Sequence, residues 1–410
     1  MNISAFIAKR IAFNPQRSFS RFVIRLSISA TIISVMVMIV TIAFAEGFQT
    51  TISDKVFSFW GHIRIHNYEA ARISIAEETP IPKNDSVTSL PQKIPGIKTI
   101  QAYATKNAIL KTSESIEGVL FKGVEESYHF ENIDRFLVRG RWIQFSDSSY
   151  SEEINLSEAM ANQLKLDVND KLLIYFIQSG GASPRPRRLT VAGIFKTGIE
   201  EYDKLIALGD MRLIQRLNNW AEDQVGGYEV FIDDYKKMDE VNEDILIQIP
   251  LEFRSSTIRQ VFPNIFDWLY LQNKTIAIVL IIMVIIATLN LVTCLLILVL
   301  ERTRMVGLLK AIGARNFTIQ KVFLYHGAII SLVGLAAGNV LGLLVCWLQD
   351  RFGFITLPEE AYYISQAAVD IEWWQVALVD VGTFTVCFLV LLIPSLVVKR
   401  IQPVRAIQFR

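Results

Sequence analysis

Four stretches of this chain are apolar for twenty residues or more: Leu26 to Ala45, Thr275 to Leu300, Phe323 to Leu348 and Gln375 to Val398. A helix of that length covers a hydrocarbon core of about 30 Å. In such a core a segment must satisfy its own backbone hydrogen bonds, which leaves helices and closed barrels. The sequence therefore predicts four spanning helices, the first an uncleaved anchor, since Leu26 to Ala45 lacks a small-residue cleavage site. An apolar content of 51% over 410 residues agrees with a chain lying partly in lipid.

Charge sets the predicted orientation, because Lys and Arg collect in short cytoplasmic loops. Lys9, Arg10, Arg17, Arg21 and Arg25 precede the first span. Arg302, Arg304, Lys310, Arg315 and Lys321 lie between the second and third, and Lys399, Arg400, Arg405 and Arg410 follow the fourth. The connection between the third and fourth instead carries Asp350, Glu359, Glu360, Asp370 and Glu372 against Arg351. The resulting layout is a cytoplasmic N-terminal amphipathic segment 1–25, a span 26–45, an outer domain 46–274, a span 275–300, a cytoplasmic connection 301–322, a span 323–348, an outer loop 349–374, a span 375–398 and a cytoplasmic tail 399–410. Both termini are expected inside.

The spans hold few charges, which argues against an ion pathway; Asp380 is read as interfacial. Gly334, Gly338 and Gly342 recur every four residues, a spacing that lets another helix approach closely. Met36, Val40, Phe44 and Phe48 form a stripe of the same period on the first span.

After Gly47, Phe48, Ile52, Val56 and Phe59 continue at helical spacing, so the first span is expected to run on as an amphipathic stalk. Phe262 to Leu271 forms a matching stalk into the second. Strand-like runs lie at His62 to Tyr68, Lys98 to Lys111, Ile116 to Val124, Lys171 to Gln178, Arg188 to Lys196 and Tyr228 to Asp233. Helical patterns fall near Ser157 to Leu164, Asp210 to Leu217 and Tyr235 to Ile247. The fold class is thus an integral membrane protein with four transmembrane α-helices and a large α+β extracytoplasmic, periplasmic domain of two lobes. One loop, Gln178 to Arg188, reads QSGGASPRPRR and should project from the sheet. It is either a solvated hairpin tip or a docking finger presenting Arg185, Arg187 and Arg188 beside Pro184 and Pro186.

No GxxxxGK[ST], GxSxG, HExxH or CxxC pattern occurs, so no catalytic residue is assigned and any work must be driven by another subunit. No cofactor of its own is expected. Cys294, Cys346 and Cys387 lie in apolar runs and suit neither a disulfide nor a metal. His62 and His66 flank Arg64 on one face of a strand; without a carboxylate or Cys beside them they read as a solvated strand, and no metal site is assigned. A net charge of +1 gives no basis for nucleic-acid binding.

The connection ERTRMVGLLKAIGARNFTIQK, Glu301 to Lys321, is basic at both ends, with Val306, Leu309, Ile312 and Phe317 as an apolar stripe. It predicts a short helix at the inner surface, able to seat its apolar face in a cytoplasmic partner. ERTRMVGLLKAIGAR resembles the ER..EIG.L.AIGA segment of the FtsX-like permeases of MacB-type ABC transporters, with Met305 and Val306 departing from it. FIAKRIAF at the start, FAEGFQTTISDKVFSFWGHIRIHN, LPEEAYYI from Leu357 to Ile364, and IPSLVVKRIQPVRAI at the end extend the resemblance. It is closest to the lipoprotein-releasing LolC/LolE permeases, in forms typical of Bacteroidetes.

The resemblance implies an inner-membrane permease working by mechanotransmission. Its implied partners are a cytoplasmic LolD-like ATPase dimer holding ATP and Mg, a second permease subunit that is homologous or identical, acylated lipoproteins, membrane lipid, and a LolA-like periplasmic carrier. Glu301, Arg302, Arg304, Val306, Gly307, Leu309, Lys310, Ile312, Gly313 and Arg315 would form the coupling helix. Met36, Val40, Phe44 and Phe48 would either wall the acyl-chain cavity or pack in the bundle, and Gln178 to Arg188 falls where a carrier-engaging hairpin is expected. A MacB-like efflux permease and an FtsX-like signalling subunit are the alternatives.

Overall fold

A computed structural model of the chain describes residues 19–68, 79–112, 115–147, 149–178 and 183–400. Lys9, Arg10, Arg17, Arg405, Arg410 and the loop tip 179–182 lie outside the described residues, as do the side chains of Arg21, Lys399 and Arg400. Two compact units emerge: a helical unit of Met1–Thr50, Leu269–Thr356 and Gln366–Arg410, and a sheet unit of Thr51–Trp268 with Leu357–Ser365.

Among the described residues four helices are long and apolar enough to cross a membrane: α1 (Phe19–Trp60), α2 (Pro263–Glu301), and, beyond the short α3 (Thr303–Ala311), α4 (Asn316–Phe352) and α5 (Trp373–Arg400). All overrun the apolar stretches that announce them. The 42 residues of α1 extend about 63 Å at 1.5 Å per residue, so the helix carries both the first span and the amphipathic run behind it. In the helical unit the glycine face of α4 lies on α1. A Cβ on Gly334 would come within 2.6 Å of Thr31, on Gly338 within 2.7 Å of Val35, and on Gly342 within 3.1 Å of Ile39. Val35, Met38 and Ile39 are consequently buried with Leu335 and Val379. Asp380 of α5, seven residues from the start of that helix, accepts a 2.8 Å hydrogen bond from the Asn339 amide of α4, a helix-to-helix contact.

The sheet unit contains twelve described strands: β1 (Ile63–Asn67), β2 (Ile81–Pro82), β3 (Ile97–Lys111), β4 (Ile116–Val124), β5 (Leu137–Gly140), β6 (Glu153–Ser157), β7 (Lys171–Phe176), β8 (Arg185–Phe195), β9 (Ile206–Asp210), β10 (Gln224–Val225), β11 (Gly227–Ile232) and β12 (Phe253–Thr257). Ten form one sheet in the order β12-β1-β11-β3-β4-β9-β6-β8-β5, with β7 bridging β3 and β8. That bridge closes β3, β4, β9, β6, β8 and β7 into a ring. In place of two separate lobes, one continuous sheet within a single compact unit combines this ring with an open wing of β12, β1 and β11. They share β3, whose first half pairs with β11 and second half with β4 and β7. Inside the ring Phe121 meets Phe176 edge-on at 5.3 Å. The Phe121 ring lies across Gly209, where even a methyl would come within 2.0 Å of it.

β8 begins at Arg185, three residues before the start read from the sequence. Pro186 hid the pairing, but it lies opposite Tyr175 and Arg185 lies opposite Phe176, so the hairpin continues through it.

Candidate functional site

The connection between α2 and α4 is built by two local devices. Arg302, at φ −101° and ψ 17°, breaks the helical run between α2 and α3. At the other end Gly313 takes φ +92°. The Ala314 amide donates to the Leu309 carbonyl at 2.9 Å and the Gly313 amide to the Lys310 carbonyl at 3.0 Å, the paired closure that needs a left-handed residue after the helix. No atom lies within 4 Å of a Cβ built on Gly313, so backbone conformation alone reserves that position for glycine.

Helix α3 has two apolar faces. Val306 is fully buried in a cluster with Leu298, Val299, Ile319 and Phe323, and Met305, Leu309 and Ala314 pack partly against it. Gly307 is buried as well. Away from that cluster, Leu308 of α3 is 59% exposed, Ile312 at its end 74%, and Phe317 in the first turn of α4 63%. The single stripe read from the sequence is thus divided: Val306 faces inward, Ile312 and Phe317 outward, and Leu309 stands between. Leu308 was missed, though its spacing of four from Ile312 was legible. Glu301, Arg304, Gly313 and Arg315 are exposed around the outward face, while Arg302 and Lys310 are half-buried. The Lys321 ammonium sits 4.6 Å from the Phe317 ring centre. The result is an exposed apolar knob with cations beside it.

On α1, Met36, Val40 and Phe44 are half-buried and Phe48 is buried, on a face beside the one that meets the glycines of α4.

In the loop, Gln178 donates to the Phe176 carbonyl at 3.4 Å. Arg185 donates to the Leu217 carbonyl at 3.2 Å, at the end of the helix Met211–Asn218, where a cation complements the helix terminus. Arg187 bonds the Pro186 carbonyl at 2.8 Å. Pro184, Pro186 and Arg188 are exposed.

His62, Arg64 and His66 do share a strand face, yet that face is not solvated. Arg64 is 4% exposed, with its guanidinium 4.5 Å from the Tyr103 ring centre, 5.2 Å from that of Trp60, and bonded to the Tyr103 hydroxyl. The His62 ring stacks on Phe57 at 4.4 Å and its Nδ1 accepts from the Ile232 amide at 3.3 Å. Burial, with Lys98 nearby, pushes the His62 pKa down to about 4; burial, with Arg64 and Arg254, does the same for His66. Neighbouring them is a second buried feature that sequence reasoning missed. Lys122 and Glu229 are both fully buried and 2.6 Å apart, and the Lys122 ammonium also donates to the Phe59 carbonyl in the last turn of α1. Among the described residues no group of three or more His, Cys, Asp or Glu could hold a metal ion.

Comparison with known proteins follows this division. Residues 26–246 match the MacB-like periplasmic core domain and residues 277–403 the FtsX-like permease C-terminal region. The chain is 23% identical to the lipoprotein-releasing system transmembrane protein LolC of Xylella fastidiosa, over 96% of this chain and 95% of that one. It is 21% identical to LolE of Haemophilus influenzae over 99% of both. The crystal structure of the periplasmic region of MacB from Actinobacillus actinomycetemcomitans aligns with a TM-score of 0.33 at 15% identity, covering 50% of this chain and 91% of that one. With four spanning helices and a periplasmic α+β domain matched across more than half its length, the chain belongs to the MacB-like, FtsX-type family of permeases.

Proposed function

We propose that this chain is the permease subunit of an inner-membrane ABC transporter that extracts lipoproteins from that membrane and passes them to a soluble periplasmic carrier. ATP is hydrolysed with Mg on a separate cytoplasmic ATPase dimer, and a second permease subunit completes the complex. The observation that carries the reading is the apolar knob at the turn between α3 and α4: Leu308 on α3, Ile312 at its C-terminal end and Phe317 in the first turn of α4 are exposed, while Val306 on α3 is buried in the bundle. Such a knob suits a groove on a partner, and its rigid backing lets movement of the partner reach α2 and α4 without being absorbed. Similarity to LolC and LolE proteins over nearly the whole chain supports lipoprotein as the cargo.

The test uses the full complex in nanodiscs, with its co-expressed ATPase, an acylated lipoprotein and a soluble carrier. Lipoprotein should move to the carrier only with ATP. Leu308→Asp and Ile312→Asp should each weaken ATPase binding by about tenfold or more, since each would set a charge at the centre of an apolar contact. Val306→Asp should instead unfold the connection. ATPase binding unaffected by both surface variants would overturn the knob as the docking site. A complex that hydrolyses ATP without moving lipoprotein would favour efflux or signalling.

A further inference from the structure

The nine residues Leu357–Ser365, on the connection between α4 and α5, belong by their packing to the sheet unit, although the chain before and after them belongs to the helical unit. They form a closed loop. The Leu357 amide donates to the Ser365 carbonyl at 3.0 Å, the Tyr363 amide to the Glu359 carbonyl at 2.8 Å, and a bridge joins Thr356 to Gln366 at its base. Ile364 is buried, and Tyr363, at φ +59°, lies edge-on to Trp268 at 5.8 Å.

Two further contacts fasten the loop. Glu359 pairs with Lys196, which directly follows β8, at 2.8 Å. The Lys55 ammonium, from the last turns of α1, donates to the Tyr363 carbonyl at 2.7 Å. Between these, Gly198 at φ +75° leaves its side-chain space vacant: a Cβ there would lie 2.5 Å from Glu359 Oε1 and 2.6 Å from Lys55 Nζ. Asp203 shapes that turn by accepting from the Thr197 amide at 3.0 Å, the Thr197 hydroxyl at 2.8 Å and the Gly198 amide at 3.0 Å. Burial lowers the Lys55 pKa even though Glu359 and Asp203 pull it upward, which fits an ammonium enclosed on this seam. A carboxylate, two ammoniums and a glycine vacancy therefore converge on one loop.

We propose that Leu357–Ser365 is a strap that ties the connection between the third and fourth spanning helices to the sheet unit, with Glu359 as the residue that positions it between Lys196 and Lys55. Movement of the permease then reaches the sheet unit through the strap as well as along α1 and α2. This rests on the permease reading above, but the strap itself is testable without it.

Amide exchange over 357–365 is measured on the full chain in nanodiscs for wild type, Lys196→Glu, Glu359→Lys and the double exchange. Each single reversal places like charges together and should speed exchange of the Leu357 and Tyr363 amides by about fivefold. The double variant restores an opposite-charge pair between positions 196 and 359 but leaves Lys55 and Glu158 facing like charges, so it should bring the rate part of the way back. The same four proteins, assembled with their ATPase, are scored for lipoprotein moved per ATP hydrolysed; the single reversals should lower that ratio while ATP turnover continues, and the double should restore part of it. Exchange that ignores either reversal, or is not rescued by the double, overturns the strap. Exchange that responds while the ratio stays at wild type overturns its positioning role. If wild type itself moves no lipoprotein, the cargo reading fails and the exchange result still decides the strap.

Discussion

Lys122 has none of its side chain in water, and neither has the Glu229 it pairs with. A buried pair of this kind adds little net stability, because desolvation offsets most of the attraction, but removing one partner strands the other. Lys122→Met should therefore destabilise the protein by about 3–5 kcal/mol in denaturant unfolding, and Lys122→Met with Glu229→Leu should recover most of it. If the double variant is no more stable than the single, the ammonium matters chiefly through the Phe59 carbonyl at the end of α1. Nothing in the sequence marked either residue. Lys122 stands inside an alternating strand, where a lysine normally points to solvent, and Glu229 of β11 together with the Phe59 carbonyl makes its burial tolerable.

At the scale of elements, the α1–α4 contact depends on backbone closeness. Gly338→Ala would push a methyl to 2.7 Å from Val35 and 3.0 Å from the Ile32 carbonyl, so an overpacking loss of about 1–3 kcal/mol is expected. Gly382→Ala in α5 meets nothing within 4 Å and should be neutral or slightly stabilising. Thermal unfolding of the full chain in detergent distinguishes them; equal shifts would mean that helix propensity, not packing, is being read. These helices were legible because twenty apolar residues in a row have few other uses. So were β3, β4, β7 and β11, whose apolar residues recur at strand spacing. β9 and β12 were not. IALGD is buried throughout and has no polar face to alternate with, and FRSST hides a buried strand behind Ser255, Ser256 and Thr257. Of the candidate site, the connecting helix and Gly313 were readable, but which apolar side chains face out was not, since α3 is apolar on two sides and only the bundle decides which is covered.

Across the whole molecule, His62 and His66 tie stability to pH. Both have folded pKa values near 4 against an ordinary 6.5, so the unfolded chain binds more protons between those values. Their contribution is complete above about pH 6.5 and is lost progressively as pH falls toward 4. The unfolding midpoint of the full chain should drop over that window, and His62→Gln with His66→Gln should flatten the drop. An unchanged slope in the double variant would place the acid sensitivity elsewhere.

The ring of six strands has one more consequence. Sheet proteins commonly clump when an open margin recruits a stranger's backbone. Here closure through β7 leaves the ten-stranded sheet with β12 and β5 as its outermost strands, five and four residues long. A neighbouring chain would find little to zip onto, so a permease crowded among its own kind in the plane of a membrane can carry this much β-structure and remain discrete.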